Sequence, residues 1–309
     1  MKIQLSILAA SISLAAAGMV HAEGPIDGKV YGKVNLTLQS SDEGTDSRVT
    51  ELVSNASRLG FKGETSLNDD LTVIYQLEYE ASIDDGDNKG QTFTQRNSFA
   101  GLKGGFGTVL AGIHDTPTKL AQDKIDLFND YEGDIKNVFS GENRDSNMIM
   151  YRSPSMSGLA ADIAMIASED ENIDDAYSLA VKFNQDNIYA ALAYDLNVEG
   201  EKTNNLRLVT KFSLEDLTLG LMWNKFEDET SNFDEDGFMV SAAYKMGTNT
   251  FKIQHASSDI KADGGTQTSL GMDHKLAKNT KVFGFYTMQD EDAANSDEDW
   301  LAIGIEHKF

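Results

Sequence analysis

The chain has no cysteine and only three prolines in 309 residues. Without cysteine there is no disulfide staple, no thiolate nucleophile and no cysteine-ligated metal. Proline lacks the N–H that a β-ladder needs, so its scarcity suits a chain that is mostly strand. Pro25 and Pro154 fall at an expected strand entry and a turn, and Pro117 falls in a long loop. Positive charge is also in short supply: 26 Lys and Arg stand against 50 Asp and Glu, a net charge of −24. Phosphate backbones are gripped by clustered Lys and Arg, so this balance argues against a nucleic-acid partner. It does not imply disorder, because apolar residues make up 40% of the chain and are evenly spread. Five histidines are present, with no His-x-x-x-His pair and no Ser/His/Asp constellation at a recognisable spacing. No enzymatic activity, cofactor or metal centre is therefore expected. Beyond residue 22, no apolar run approaches the ~20 residues of a membrane helix. If this chain crosses a membrane, it does so as a closed barrel.

What is present begins with a leader. Lys2 supplies a short positive region, Ile3 to Val20 is apolar or small, and Val20-His21-Ala22 offers small residues where a signal peptidase reads. Residues 1–22 are expected to be a cleaved signal peptide, and 23–309 a single mature domain.

The dominant pattern in that domain is period two, the strand period. Leu71, Val73, Tyr75, Leu77 and Tyr79 share one face, and Thr72, Ile74, Gln76, Glu78 and Glu80 the other. Gly32, Val34, Leu36 and Leu38 oppose Tyr31, Lys33, Asn35, Thr37 and Gln39. Sixteen such segments follow one another, near 29–39, 58–66, 71–82, 96–104, 107–113, 147–153, 159–167, 176–184, 188–196, 205–213, 217–226, 237–246, 249–257, 266–276, 280–289 and 299–309. Their connections alternate. One set is short, such as Asn68-Asp69-Asp70, Gln185-Asp186-Asn187 and Gly247-Thr248; the other is longer and holds most of the acidic residues, such as Glu227 to Asp236 and Asp290 to Asp299. Strands of ~10 residues with short turns at one end and long loops at the other are the layout of an outer-membrane barrel. A soluble β-sandwich would also alternate strands and turns, but it does not need this short–long rhythm or so many strands. The expected fold is an all-β, sixteen-stranded antiparallel transmembrane barrel.

Charge on a lipid-facing strand position costs ~2–4 kcal/mol near the midplane, so charged strand residues belong inside. Arg58, Lys62 and Glu64 share a parity opposed by Leu59 and Phe61, and Lys33 opposes Val34 and Leu36. The longest connection, Ile113 to Ser146, carries Asp126, Asp130, Glu132 and Asp134. Asp234-Glu235-Asp236 and Asp297-Glu298-Asp299 have the composition of hard-cation ligands, but a solvated, self-repelling rim explains them more simply. Such a rim gathers cations, and a cation preference is expected from it.

Several motifs together resemble the Gram-negative general porins: Tyr31-Gly32-Lys33, Arg58-Leu59-Gly60-Phe61-Lys62-Gly63-Glu64, the Arg96 to Lys103 strand, Met150-Tyr151-Arg152-Ser153-Pro154, and the ending Glu306-His307-Lys308-Phe309. The resemblance spans the mature chain. It implies a homotrimer in the Gram-negative outer membrane, among lipid and lipopolysaccharide. The water-filled channel would pass small hydrophilic solutes and ions by passive diffusion. It implies that Phe309 is the address read by the barrel-assembly machinery. It also implies that the third external loop folds into the lumen, facing a basic wall of Lys33, Arg58, Arg96 and Arg144, to which the strand period adds Lys62, four residues after Arg58. Asp126, Asp130, Glu132 and Asp134 would form the acidic side of that constriction, and the resulting transverse field would favour polar solutes. The sequence departs from the enteric pattern here, since the Pro-Glu-Phe-Gly-Gly-Asp loop core is absent and Tyr131-Glu132-Gly133-Asp134 is a partial analogue. Two other readings remain open. One is a substrate-specific channel for oligosaccharides or a phosphorylated solute, with Phe283 and Phe285 at lumenal parity. The other is a barrel adhesin or receptor that binds a partner through its acidic loops.

Overall fold

The computed structural model describes residues 28–44, 47–86, 90–292 and 297–309. The expected signal peptide, 1–22, lies outside the described residues.

Sixteen antiparallel strands form one closed sheet. They are β1 (Gly28–Glu43), β2 (Val49–Ser54 and Arg58–Asn68), β3 (Leu71–Ala81), β4 (Phe93–Gln95 and Ser98–Gly104), β5 (Gly107–Asp115), β6 (Arg144–Arg152), β7 (Leu159–Ile166), β8 (Ala176–Gln185), β9 (Ile188–Leu196), β10 (Thr203–Leu214), β11 (Leu217–Asp228), β12 (Phe233–Met246), β13 (Asn249–Ser258), β14 (Gly265–Ala277), β15 (Thr280–Asp290) and β16 (Glu298–Lys308). Each pairs with its sequence neighbour, and β1 closes the ring on β16 from Lys33↔Lys308 to Glu43↔Glu298. Closure leaves no unpaired edge, the condition for a sheet in lipid.

Burial along the strands is inverted relative to a soluble protein. On β1, Asn35, Thr37, Gln39 and Ser41 are at most 3% exposed, while Val34 and Leu38 are 37% and 50% exposed. On β16 Leu301, Ile303 and Ile305 are exposed. The apolar face is outside, which is the polarity lipid demands, and a sandwich is ruled out.

Every expected segment falls on a strand. The misses lie at the outer ends, where Val49–Ser54 and Phe93–Gln95 are paired but were not expected, and where β1 runs on to Glu43. The first two hold no fully buried residue and the β1 extension reads Ser-Ser-Asp-Glu, so the apolar–polar alternation that marks a strand fades there.

Two strands are broken, and the breaks position the site. In β2, residues 55–57 leave the ladder, with Ala56 at φ 48°. Side chains replace the lost pairing: Asn35 N donates to Ser57 Oγ (3.0 Å), Ser57 Oγ donates to Asn35 O (3.1 Å), and Asn55 Nδ2 donates to Thr37 Oγ1 (3.1 Å). In β4, residues 96 and 97 interrupt pairing with β3. A third irregularity shifts the β5–β6 register between Gly112 and His114. Bulges of this kind re-aim side chains. Here they precede Arg58, hold Arg96 and lie two residue pairs from Arg144.

Candidate functional site

Residues 116–143 join β5 to β6. Thr116 caps helix α1 (Pro117–Ala121) by accepting from Lys119 N, with proline at the first turn, where its missing N–H costs nothing. Asp134 caps a 3₁₀ turn, Ile135–Asn137, through Lys136 N.

This segment packs against side chains on the buried parity of the strands. Ala121, Ile125, Ile135, Val138 and Phe139 share one apolar cluster with Ala180, Tyr189, Ala191, Ala193, Val209, Met222, Met239 and Ala256 of β8–β13. A second cluster joins Phe128 and Tyr131 to Phe283 and Phe285 of β15 and Ala302 of β16. Tyr131 lies 4.9 Å and 5.3 Å from those two phenylalanine rings, centroid to centroid. Gly271 lets the loop come this close, since a Cβ there would stand 2.9 Å from the Phe128 ring.

Polar contacts complete the attachment. Ser241 Oγ donates to Ile125 O (2.7 Å), Leu127 N to Gln254 Oε1 (2.8 Å), Gln254 Nε2 to Gly133 O (3.0 Å), and Tyr189 OH to Ala121 O (2.9 Å). Lys252 Nζ donates to Leu127 O (3.1 Å), pairs with Asp273 (3.1 Å) and stands 4.7 Å over the Phe128 ring. Arg207, fully buried, holds the return of the loop by Glu142 Oε1 (2.5 Å) and Ser140 O (2.6 Å).

The expected site residues separate into groups. Lys33 and Arg58 converge on Asp130 Oδ2 at 2.8 and 2.7 Å. Arg96 binds Glu78 (3.0 Å) and Glu80 (2.5 Å) of β3, and Arg144 binds Asp115 (2.8 Å) and Asn97 Oδ1 (2.8 Å). Lys62 stands apart, 4.6 Å over the Tyr31 ring. On the loop, Glu132 accepts from Gln39 Nε2 (3.0 Å). Asp126 and Asp134 turn into the loop itself. Asp126 accepts from Phe128 N, Ile135 N and Gln254 Nε2; Asp134 accepts from Asp130 N and Lys136 N. Phe309 is exposed and pairs its backbone with Gly32. A cavity of about 720 Å³ remains between the loop and β2–β6, with Arg58, Arg96 and Arg144 on its wall.

Sequence reasoning missed Glu78, Glu80, Asp115 and Arg207 as partners. Parity already turned Glu78 and Glu80 inward. The loop's seat also had a signal, since Ala180, Ala191, Ala193 and Ala256 are small apolar residues at inward positions, where an open channel would carry polar ones.

Two loop carboxyls titrate in opposite directions. Burial would raise Asp130, but Lys33 and Arg58 outweigh it and hold the group down at about 2. Burial and the neighbouring Asp134 push Asp126 up to about 8, against the N–H donors it accepts from. A raised carboxyl favours the docked loop below the ordinary carboxylate pKa and loses that contribution as pH rises through its docked value. Loop fluctuations, read as open-channel current noise, are expected to be lowest near pH 4, to grow as pH rises from there, and to level off above about pH 8. Noise that stays flat into the alkaline range would contradict this.

A family model described as Gram-negative porin matches residues 8–294. The chain is 28% identical over 314 residues to outer membrane porin protein 32 of Delftia acidovorans, covering 91% of this chain and 87% of that protein. It is 24% identical over 322 residues to the major outer membrane protein P.IB of Neisseria lactamica, covering 92% and 94%. Among solved structures, the anion-selective porin from Comamonas acidovorans superposes with a TM-score of 0.77 at 22% identity, covering 91% of this chain and 99% of that one.

Proposed function

The chain belongs to the Gram-negative porins, a family of outer-membrane channels rather than enzymes, and from that premise we propose that it passes small hydrophilic solutes and ions through an eyelet between its third external loop and an arginine wall. The observation that carries this reading is Asp130. It sits at the loop apex and accepts from both Lys33 and Arg58 on the first two strands. With the rest of the loop against β8–β16, the solute path is confined to the cavity beside Arg58, Arg96 and Arg144. Size is filtered there, without chemistry or energy input.

Charge is filtered in two zones in series. The acidic external loops gather cations at the mouth, which supports a cation preference in dilute salt. The fold does not fix the sign, since the Comamonas porin of the same architecture is anion-selective. Phe283 and Phe285 do have lumenal parity, but Phe128 and Tyr131 cover them, so they offer no free aromatic track for oligosaccharides. The family resemblance supports a homotrimer among lipid and lipopolysaccharide, assembled through the Phe309 signal.

Reconstitution of the folded protein in a planar bilayer tests the reading. Large ohmic steps in groups of three are the expected result. Folded barrels without conductance would overturn it and leave a receptor role for the loops.

A further inference from the structure

The alternation that keeps apolar side chains in lipid has a blind spot. A one-residue slip between neighbouring strands turns every side chain to the other face, so lipid forbids it. A two-residue slip keeps every face and leaves the pattern intact. In a hairpin the turn removes that freedom, but β16 and β1 share no turn and meet from opposite ends of the chain. A distinct contact sits at that seam. Gly32 and Phe309 exchange both backbone hydrogen bonds, at 3.0 and 3.1 Å. The Phe309 ring lies over Gly32, where a Cβ would stand 2.9 Å from Phe309 Cε2. Gly32 is buried beneath it, although its parity on β1 is that of the exposed Val34. The two flanking interfaces repeat the contact on the lumenal face. Tyr31 of β1 covers Gly60 of β2, and Phe283 of β15 covers Gly304 of β16, each pair directly opposite. A Cβ on Gly60 would stand 2.7 Å from the Tyr31 ring, and one on Gly304 2.8 Å from the Phe283 ring.

We propose that the Phe309 ring on Gly32 is a register pin that closes the barrel, a role in the folded protein apart from any use of Phe309 as an assembly address. A two-residue slip at the β16–β1 seam sets Phe309 opposite Val30 or Val34. The same slip at the flanking interfaces sets Tyr31 opposite Arg58 or Lys62, and Phe283 opposite Ala302 or Glu306. Each of those residues carries a Cβ in the space the ring would take, so only the native register seats all three rings. A ring laid on glycine also supplies the packing that a bare glycine in a strand gives up. The seam depends on its pin most. Joining the two ends of the chain carries the largest loop-closure entropy in the barrel, and no turn helps to align them.

The chain has no cysteine, so introduced pairs report register without background. Leu38→Cys/Ile303→Cys joins positions directly opposite in the native seam. Leu38→Cys/Leu301→Cys and Leu38→Cys/Ile305→Cys join positions that become opposite after a two-residue slip in one direction or the other. In the native barrel these last pairs are diagonal, about 7–8 Å apart, at the limit of a disulfide. The full mature chain with one pair is refolded from urea into detergent micelles, with no assembly machinery present, and then oxidised. With Phe309 and Gly32 in place, the slipped cross-links should be a trace beside the native one. They should rise several-fold in Phe309→Leu and in Gly32→Ala. Phe309→Tyr keeps a ring and should stay at the trace level. So should Gly284→Ala, at a glycine of β15 whose nearest neighbours are Ala302 O (3.3 Å) and Ile303 Cγ2 (3.7 Å) rather than a ring. A Phe309→Leu chain with no more slip than its parent overturns the proposal. So does a Phe309→Tyr or Gly284→Ala chain that slips as much as Phe309→Leu. A Gly32→Ala chain that folds wholly in the native register overturns it even where Phe309→Leu does not fold.

Discussion

Arg207→Ala should open the channel, raising single-channel conductance several-fold and admitting larger solutes. Arg207 is wholly buried and serves three acceptors at once: Glu142, Ser140 O and Asn224 Oδ1. Asn224 in turn donates to Asn205 (2.7 Å), so the network ties the returning loop to β10 and β11. Truncation removes the cation, leaves the Glu142 carboxylate with only the neutral donor Gln122 Nε2 (3.0 Å), and leaves the Ser140 carbonyl without its donor in a buried site. Breaking a buried ion pair in this way costs about 3–5 kcal/mol. The cost falls on the loop, because the inter-strand ladder does not pass through this side chain. Docked loops draw on the low end of the stability range, so a loss of this size shifts the loop toward its undocked state. The barrel's own thermal unfolding in detergent should change little. Arg207→Lys should fall between, since an ammonium cannot reproduce the planar fork. Conductance traces of the three proteins decide the matter. Unchanged conductance in the alanine variant would mean that the aromatic cluster of Phe128, Tyr131, Phe283 and Phe285 holds the loop unaided.

Asp130→Asn should shift the permeability ratio toward anions by about three- to tenfold, with a smaller effect on conductance. The carboxylate stands 2.8 Å from Lys33 and 2.7 Å from Arg58. Removing its charge leaves Lys33 facing a neutral acceptor, and Arg58 with Glu78 (3.6 Å) as its remaining carboxylate, beside the proposed solute path. A unit charge a few ångströms from a permeating ion is worth about 1 kcal/mol in water and several times that at the effective dielectric of a protein surface. The pH dependence follows from the depressed carboxyl. Its contribution to loop docking is fully present above the unfolded value of about 4 and is lost as pH falls through about 2. Wild-type selectivity attributable to Asp130 should therefore be level from about pH 5 upward and approach that of the variant near pH 2. Reversal potentials across that range read both effects. A variant indistinguishable from wild type at neutral pH would show that Lys33 and Arg58 lie off the solute path.

The strands were legible because lipid imposes one rule on every residue of a barrel. Val34, Leu38, Ile303 and Ile305 had to face out, and Lys33, Asn35 and Glu78 had to face in, whatever else the protein does. That rule acts at a period of two residues, so the sequence by itself determined the strand count, the antiparallel order and the inward parity of Lys33 and Arg58. It carried no information where the rule lapses, and so Val49–Ser54 and Phe93–Gln95 went unseen.

Only the tertiary structure decided what the loop carboxylates do. Asp126, Asp130, Glu132 and Asp134 are alike as letters, but one meets Lys33 and Arg58, one meets Gln39, and two are spent on backbone N–H groups within the loop. These differences arise from contacts made across more than ninety residues of sequence, such as Lys33 with Asp130 and Gln254 with Gly133. No local period encodes such pairings. They depend on where Phe128 and Tyr131 find room against Phe283, Phe285 and Gly271 once the barrel has closed. Closure turns parity into an inside and an outside, and packing then selects which charges on the inside remain for a solute to meet.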